Sequence, residues 1–171
     1  MTPGDPTAPD TLCGPVISAR QRDRITGYIQ KGIDEGANLV HGGTGAPEGL
    51  DTGFFVRPSL FVDVDNSMTI AREEIFGPVL VVIPYEDDEE AIRIANDSEY
   101  GLAGFVLSES IDRSVAVARR LRAGSIGLNG GAPYGADLPF GGYKSSGVGR
   151  QNGIAGFDQY LEVKSVAYPV G

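Results

Sequence analysis

The stretch Val79-Leu80-Val81-Val82-Ile83, followed by Asp87-Asp88-Glu89-Glu90 and then by Ala91, Ile92 and Ala95, decides the fold class. An unbroken run of β-branched and aliphatic residues is the composition of a strand buried on both faces, where alternation with polar residues is not required. The acidic cluster then loads negative charge onto the first turn of a helix, where the helix dipole favours it. The pattern repeats downstream. Leu102 to Leu107 reads as the next strand, Asp112 to Arg122 as the next helix with basic residues in its last turn, and Ser125 to Leu128 as a third strand. Strand, helix, strand, helix, strand implies an α/β fold built of parallel-sheet βαβ units with right-handed crossovers.

Upstream of this block, Ile25, Tyr28, Ile29 and Ile33 recur at helical spacing between Ser18, placed to cap, and Gly36, placed to stop, so an amphipathic helix is expected there. Gly42 through Gly53 is loop by composition. Phe54 to Val64 is interrupted by Pro58 and is expected to be at best an edge strand or an irregular extended segment. Residues 1–11, rich in proline and small polar residues, read as a mobile lead-in, and residues 12–158 as the body. Leu161, Val163, Val166 and Tyr168 mark a final strand between Tyr160 and Val170, within a terminal segment 159–171. No internal repeat is visible.

With 171 residues the chain is long enough for a real core. Its formal charge of -9 disfavours nucleic acid and anionic membranes as partners, since both attract a basic footprint. A single cysteine excludes an internal disulfide framework and fits a reducing cytoplasm. No apolar run reaches membrane-span length and no signal core follows Met1, so a soluble, cytoplasmic protein is expected.

Two blocks carry a resemblance. Ala71-Arg72-Glu73-Glu74-Ile75-Phe76-Gly77-Pro78-Val79-Leu80 resembles the cofactor-side signature of the NAD(P)-dependent aldehyde dehydrogenases. Leu138-Pro139-Phe140-Gly141-Gly142-Tyr143-Lys144-Ser145-Ser146-Gly147-Val148-Gly149-Arg150-Gln151-Asn152-Gly153 is similar to the same family's C-terminal motif. Collinear matches at Gly14-Pro15, Thr52-Gly53-Phe54-Phe55, Tyr100-Gly101-Leu102-Ala103 and Gly127-Leu128-Asn129 extend it from about Thr11 to Val170. The resemblance implies the C-terminal part of an aldehyde dehydrogenase catalytic domain, with the last strand joining a sheet shared between subunits of a homo-oligomer.

It further implies that the Glu74 carboxylate accepts hydrogen bonds from the nicotinamide ribose hydroxyls of NAD or NADP, and that the Phe76 ring lies against the nicotinamide. The residue types suit those tasks: a carboxylate has two oxygens for vicinal hydroxyls, and an apolar wall fixes the face presented for hydride transfer. Outside such a motif the same residues are a solvated charge and a core aromatic. Arg72 and Glu73 read as structural or surface charges. The loop Asn129 to Phe140 follows the C-terminal end of a parallel strand, where open α/β sheets place ligands. In the family it lines the aldehyde tunnel, which makes Tyr134 and Phe140 the candidate substrate wall; the other reading is an ordinary loop with tucked-in aromatics.

Family members are several hundred residues long, and their nucleophilic cysteine, general-base glutamate and dinucleotide half precede the matched region. Cys13, in Thr-Leu-Cys-Gly-Pro, lacks the context of that nucleophile and reads as an inert packed thiol. No residue of the chain is therefore assigned a catalytic role, and the expectation is a fragment inactive on its own. Two alternatives stay open: half of a split enzyme complemented by a separate N-terminal half, or a non-catalytic oligomerisation or regulatory module. Gly141-Gly142-Tyr143-Lys144-Ser145 fails as a phosphate loop, because Tyr143 separates glycine from lysine. Gln151 stands where the family usually has Glu. His41, the only histidine, is expected in a glycine-rich loop without a second ligand and reads as a surface residue, so no metal is expected.

Overall fold

The computed structural model describes residues 2–169 and 171, and the chain divides into two compact units, Met1–Tyr85 and Glu86–Gly171. In the first unit, helix α1 spans Ala19–Asp34. Ser18 caps it as expected, its hydroxyl accepting from the Gln21 amide at 3.2 Å, and Gly36 ends it at a φ of +89°. Ile25 and Ile29 are fully buried and meet Val56, Phe61, Val64, Ile70 and Ile75 in the core. A short helix α2, Thr69–Arg72, begins at Met68, which offers no capping side chain. Glu35 of the α1 terminus caps it instead, accepting from the Thr69 amide at 2.8 Å and its hydroxyl at 2.6 Å. These bonds to the ionised form hold the Glu35 carboxyl below its ordinary range.

Three strands, β1 (Asn38–His41), β2 (Ser59–Val62) and β3 (Val79–Val81), form a sheet in the order β1-β2-β3. The first pair is antiparallel and the second parallel, with Ser59 opposite Val79 and Phe61 opposite Val81. Two expectations are corrected here. The segment after Pro58 is the central strand rather than an edge, because the proline lies just before the ladder and the Ser59 amide makes its first bond, to the Pro78 carbonyl at 2.8 Å. β3 is not covered on both faces. Val79, Val81 and Ile83 pack on the core, while Leu80 and Val82 are 62% and 44% exposed, since nothing among the described residues covers that face. β1 is a strand the sequence does not announce, mostly exposed along its length, and His41 is its exposed last residue rather than part of a loop.

The second unit begins with α3, Asp88–Asn96, whose first turn carries the acidic cluster and whose cap, Asp87, accepts from the Glu90 amide at 2.9 Å. Strand β4, Ala103–Val106, helix α4, Ile111–Ala118, and strand β5, Ser125–Leu128, form one βαβ unit, with Ala103 opposite Ser125 and Val106 opposite Leu128 in parallel. α4 ends earlier than Arg122, in a run of turns. Parallel pairing thus holds for β2–β3 and for β4–β5, as two sheets rather than one three-strand series. Asp88 takes a two-pronged contact from Arg113, at 2.6 and 2.9 Å, and Glu89 pairs with Arg120, tying α3 to α4 and to the turn after it and lowering both carboxyls' pKa values. Ile92 is buried, whereas Phe105, Leu107 and Ile111 stand in solvent. A 3-10 turn, Lys144–Ser146, and helix α5, Gly153–Asp158, complete the unit.

The lead-in also departs from expectation. It is folded back rather than free: the Gly4 amide donates to the Cys13 carbonyl at 3.0 Å, and Asp5 accepts from the Thr7 amide and hydroxyl in a local turn. Residues 161–169 form no strand within the chain, and their side chains are exposed; Val170 lies outside the described residues. A strand exists only against a partner edge, and no described strand of this chain pairs with the tail. No described helix is long and apolar enough to cross a membrane.

Candidate functional site

The chain leaves α2 at Glu73 and passes through Glu74, Ile75, Phe76 and Gly77 before entering β3. Ile75 is buried in the core and anchors the turn. Phe76 beside it is 75% exposed and has a φ of +59°. That conformation is costly for a bulky residue, on the order of 1–3 kcal/mol, and persists only where the surroundings impose it.

The surroundings are one face of α1. Gln21 Nε2 donates to the Phe76 carbonyl at 2.9 Å, Arg24 Nη1 to the Ile75 carbonyl at 2.7 Å, and Arg24 Nη2 to the Glu74 carbonyl at 2.6 Å. One turn further, the Tyr28 hydroxyl donates to Glu73 Oε2 at 2.6 Å, a bond to a carboxylate that raises the tyrosine pKa, and the Arg24 guanidinium lies 4.9 Å from the Tyr28 ring centre. Ile25 lies under Gly77, so closely that a Cβ there would come within 2.5 Å of its Cδ1. Positions 21, 24, 25 and 28 fall on one helical face. Net contributions of about 1 kcal/mol per hydrogen bond, added over three carbonyls, match the cost of the Phe76 backbone. The Glu74 carboxylate is exposed and has no hydrogen bond or ion pair among the described residues. The loop therefore offers a carboxylate with free acceptor oxygens and an aromatic face to solvent.

Of these residues, the sequence pattern marked Ile25 and Tyr28 as part of the apolar stripe and passed over Gln21 and Arg24. Their signal is positional: they flank the stripe within a turn of Ile25. Glu73 is structural, as expected, through Tyr28.

In the second unit the structure brings Tyr134 and Phe140 together, with ring centres 5.4 Å apart and planes tilted by 55°. Tyr134 is 54% exposed and Phe140 half-buried. Phe140 is fixed by a main-chain bridge to Gln151, at 2.8 and 2.7 Å, so replacing the usual Glu by Gln leaves this pairing intact. A groove of about 420 Å³ runs beside it, lined by Leu102, Phe140, Ser146, Arg150 and Tyr160 among others.

The glycine-rich motif around these aromatics is a structural knot. Lys144 Nζ donates to the Asn96 and Ser98 carbonyls at 2.8 and 2.9 Å, satisfying the end of α3, so its charge is engaged and not presented to a phosphate. The guanidinium groups of Arg122 and Arg150 lie 5.5 and 5.3 Å from the centre of the Tyr143 ring. Gly141 must be glycine, since a Cβ would sit 2.5 Å from the Gly149 carbonyl oxygen. Cys13 is half-buried, its thiol 3.7 Å from the adjacent Gly14 carbonyl. No group of three or more potential metal ligands occurs among the described residues.

Comparison with known proteins agrees with this architecture. The sequence model of the aldehyde dehydrogenase family matches residues 1–166, so the match takes in the lead-in as well. A Staphylococcus saprophyticus protein with a provisional aldehyde dehydrogenase name is 55% identical over 166 residues, which are 96% of this chain and 34% of that protein. The structure of a Mycobacterium tuberculosis aldehyde dehydrogenase complexed with NAD+ superposes with a TM-score of 0.93 at 51% identity, covering 100% of this chain and 35% of the other. That of a Pseudomonas syringae aldehyde dehydrogenase C mutant complexed with NAD+ and octanal gives 0.90 at 47% identity, covering 94% and 33%. The chain thus spans about a third of the length of these relatives. With the match running over nearly all its residues and the same α/β units in the same order, the chain belongs to the aldehyde dehydrogenase family.

Proposed function

We propose that this chain forms the nicotinamide-side wall and part of the aldehyde tunnel of an enzyme that oxidises an aldehyde to a carboxylic acid with NAD or NADP. The observation that carries the reading is the Glu74–Phe76 turn: an aromatic ring held outward at a costly φ beside a carboxylate with no partner of its own. Two relatives whose structures contain NAD+, one of them also with octanal, support the same assignment. Bound NAD(P)+ supplies the hydride acceptor. Glu74 would accept hydrogen bonds from the two ribose hydroxyls, and Phe76 would wall one side of the ring and keep water from it. Tyr134 and Phe140 give the tunnel an apolar, partly aromatic lining that suits the hydrocarbon end of an aldehyde.

The nucleophile that forms the thiohemiacetal and the base that activates water for its release belong, in this reading, to the part of the fold outside these 171 residues, whether in the same polypeptide or in a complementary one. The exposed apolar tail at residues 160–169 supports a second copy of the chain as the assembly partner.

The test supplies the remaining two thirds of the fold, fused ahead of Asp10 or in trans, and measures single-turnover hydride transfer. Glu74→Gln keeps shape and removes the charge; charge-assisted bonds of this type are worth about 1.5–3 kcal/mol, so a loss of roughly 10- to 100-fold is expected. Wild-type rates in both Glu74→Gln and Phe76→Ala of an active enzyme would return these residues to a structural role. Aldehyde oxidation by the 171-residue chain alone, surviving Cys13→Ala, would overturn the assignment of the chemistry elsewhere.

A further inference from the structure

Asparagine followed by glycine is the pair in which a main-chain nitrogen reaches the preceding side-chain carbonyl with least obstruction, because glycine places no Cβ beside it. Asn129-Gly130 and Asn152-Gly153 are both such pairs, and the fold treats them differently. Leu128 to Gly131 is a tight turn, closed by the Gly131 amide on the Leu128 carbonyl at 2.8 Å, with φ of +46° at Asn129 and +85° at Gly130. The Gly130 amide makes no hydrogen bond among the described residues, Asn129 and Gly130 are both exposed, and a Cβ built on Gly130 would meet nothing within 4 Å. Asn129 Oδ1 accepts from the Ser108 amide at 2.8 Å, which draws electron density from Cγ and keeps a donor in place for an oxygen that turns negative. Gly153 is the opposite case. Its amide donates to the Ala136 carbonyl at 3.0 Å, and a Cβ there would lie 2.7 Å from the Asp137 carbonyl oxygen.

We propose that Asn129 is a site of self-modification: the Gly130 nitrogen attacks Asn129 Cγ, a succinimide ring closes as the bond from Cγ to Nδ2 breaks, and the chain deamidates there in preference to Asn152. The Gly130 amide proton passes to solvent base, and the departing nitrogen, protonated by water, leaves as ammonia. Water then opens either carbonyl of the ring to give aspartate or isoaspartate, with no redox change and no reactant besides water. Both products place a new negative charge at the end of β5. The isoaspartate also routes the main chain through the former side chain, which adds a methylene to the backbone where β5 turns into the Asn129–Phe140 loop. The turn that seats the loop is lengthened, and the Tyr134–Phe140 ring contact, 5.4 Å between centres, reports the change.

The experiment ages the full 171-residue chain in mildly alkaline buffer, with and without urea, and follows both sites by mass spectrometry of tryptic peptides: residues 123–144 carry Asn129 and residues 151–164 carry Asn152. In buffer Asn129 should convert about tenfold faster than Asn152, the equivalent of the hydrogen bond that must open at Gly153. Urea removes the fold and leaves two Asn-Gly pairs of like chemistry, so it should speed Asn152 and bring the two rates together. Isoaspartate and aspartate should both appear at Asn129, each with an oxygen from labelled water. In NMR the isoaspartate fraction should lose the Tyr134–Phe140 Overhauser contacts while the signals of buried Ile92 stay in place. Equal rates in buffer, or a faster Asn152, overturn the proposal. So does aspartate without isoaspartate, the mark of direct attack by water on the side chain. Conversion of Asn129 only in urea overturns it as well, by showing that the turn and the Ser108 bond shield the residue. Ring contacts that persist in the isoaspartate fraction refute the remodelling of the loop.

Discussion

Replacing Gly77 by alanine tests how closely the Glu74–Gly77 loop is seated on α1. The added Cβ would lie 2.5, 2.7 and 2.9 Å from the Cδ1, Cγ1 and Cγ2 atoms of Ile25. Ordinary carbon–carbon contact is about 3.5–4.0 Å, so helix and loop must part by roughly 1 Å or Ile25 must leave its rotamer. Ile25 has no exposed surface and is enclosed by the core, which leaves it nowhere to turn. Overpacking of this kind costs about 1–3 kcal/mol, and with a urea dependence of about 1–3 kcal/mol per molar the unfolding midpoint should fall by about 1 M. The source of the cost is checked by a double-mutant cycle. Ile25→Val removes Cδ1, the atom in closest conflict, and alone costs about 0.5–1.5 kcal/mol; combined with Gly77→Ala it should recover at least about 0.5 kcal/mol relative to additivity. A Gly77→Ala variant within about 0.5 kcal/mol of wild type, or a strictly additive pair, would refute the steric argument.

Glu35→Gln should lower stability at neutral pH and flatten its decline in acid. The Glu35 pKa is depressed by Thr69, so its stabilisation is present above the unfolded value of about 4.3 and vanishes as pH falls through the lower folded value; a variant with the wild-type acid profile counts against the cap. Ser125 holds the one buried side-chain polar atom without a hydrogen bond among the described residues, so Ser125→Ala should be neutral or stabilising by up to about 1–2 kcal/mol in urea unfolding, and a loss would reveal a missed partner. Removal of residues 159–171 should reduce self-association in sedimentation velocity. A wild-type chain that sediments as a clean monomer with residues 161–169 protected from hydrogen exchange contradicts the role of the tail as an assembly strand.

The strand–helix pattern of the second unit was legible because its signals are local: acids fill the first turn of α3, and Ser125 to Leu128 forms β5 over its expected length. What escaped depends on contacts distant in sequence. β2 is central because β1 pairs with it from upstream, and β1 has no alternation to betray it. Leu80 and Val82 read as buried because composition records that a residue is apolar, not whether anything in this chain lies over it. The site divides the same way. Glu74 and Phe76 are marked by their motif, whereas Gln21 and Arg24 act some fifty positions away, through the backbone, and a polar residue beside a helix stripe carries no distinguishing mark.

Phe105, Leu107, Leu80 and Val82, all turned to water in this chain, have a consequence for its life in a cell. Extended apolar segments of this kind are what holdase chaperones and quality-control proteases grip. A polypeptide presenting them is handled as an unfinished one: retained, refolded or degraded until a surface arrives to cover them. Its abundance is then set by the supply of that surface more than by its own rate of synthesis, so a cell making these residues without it would keep little of the product.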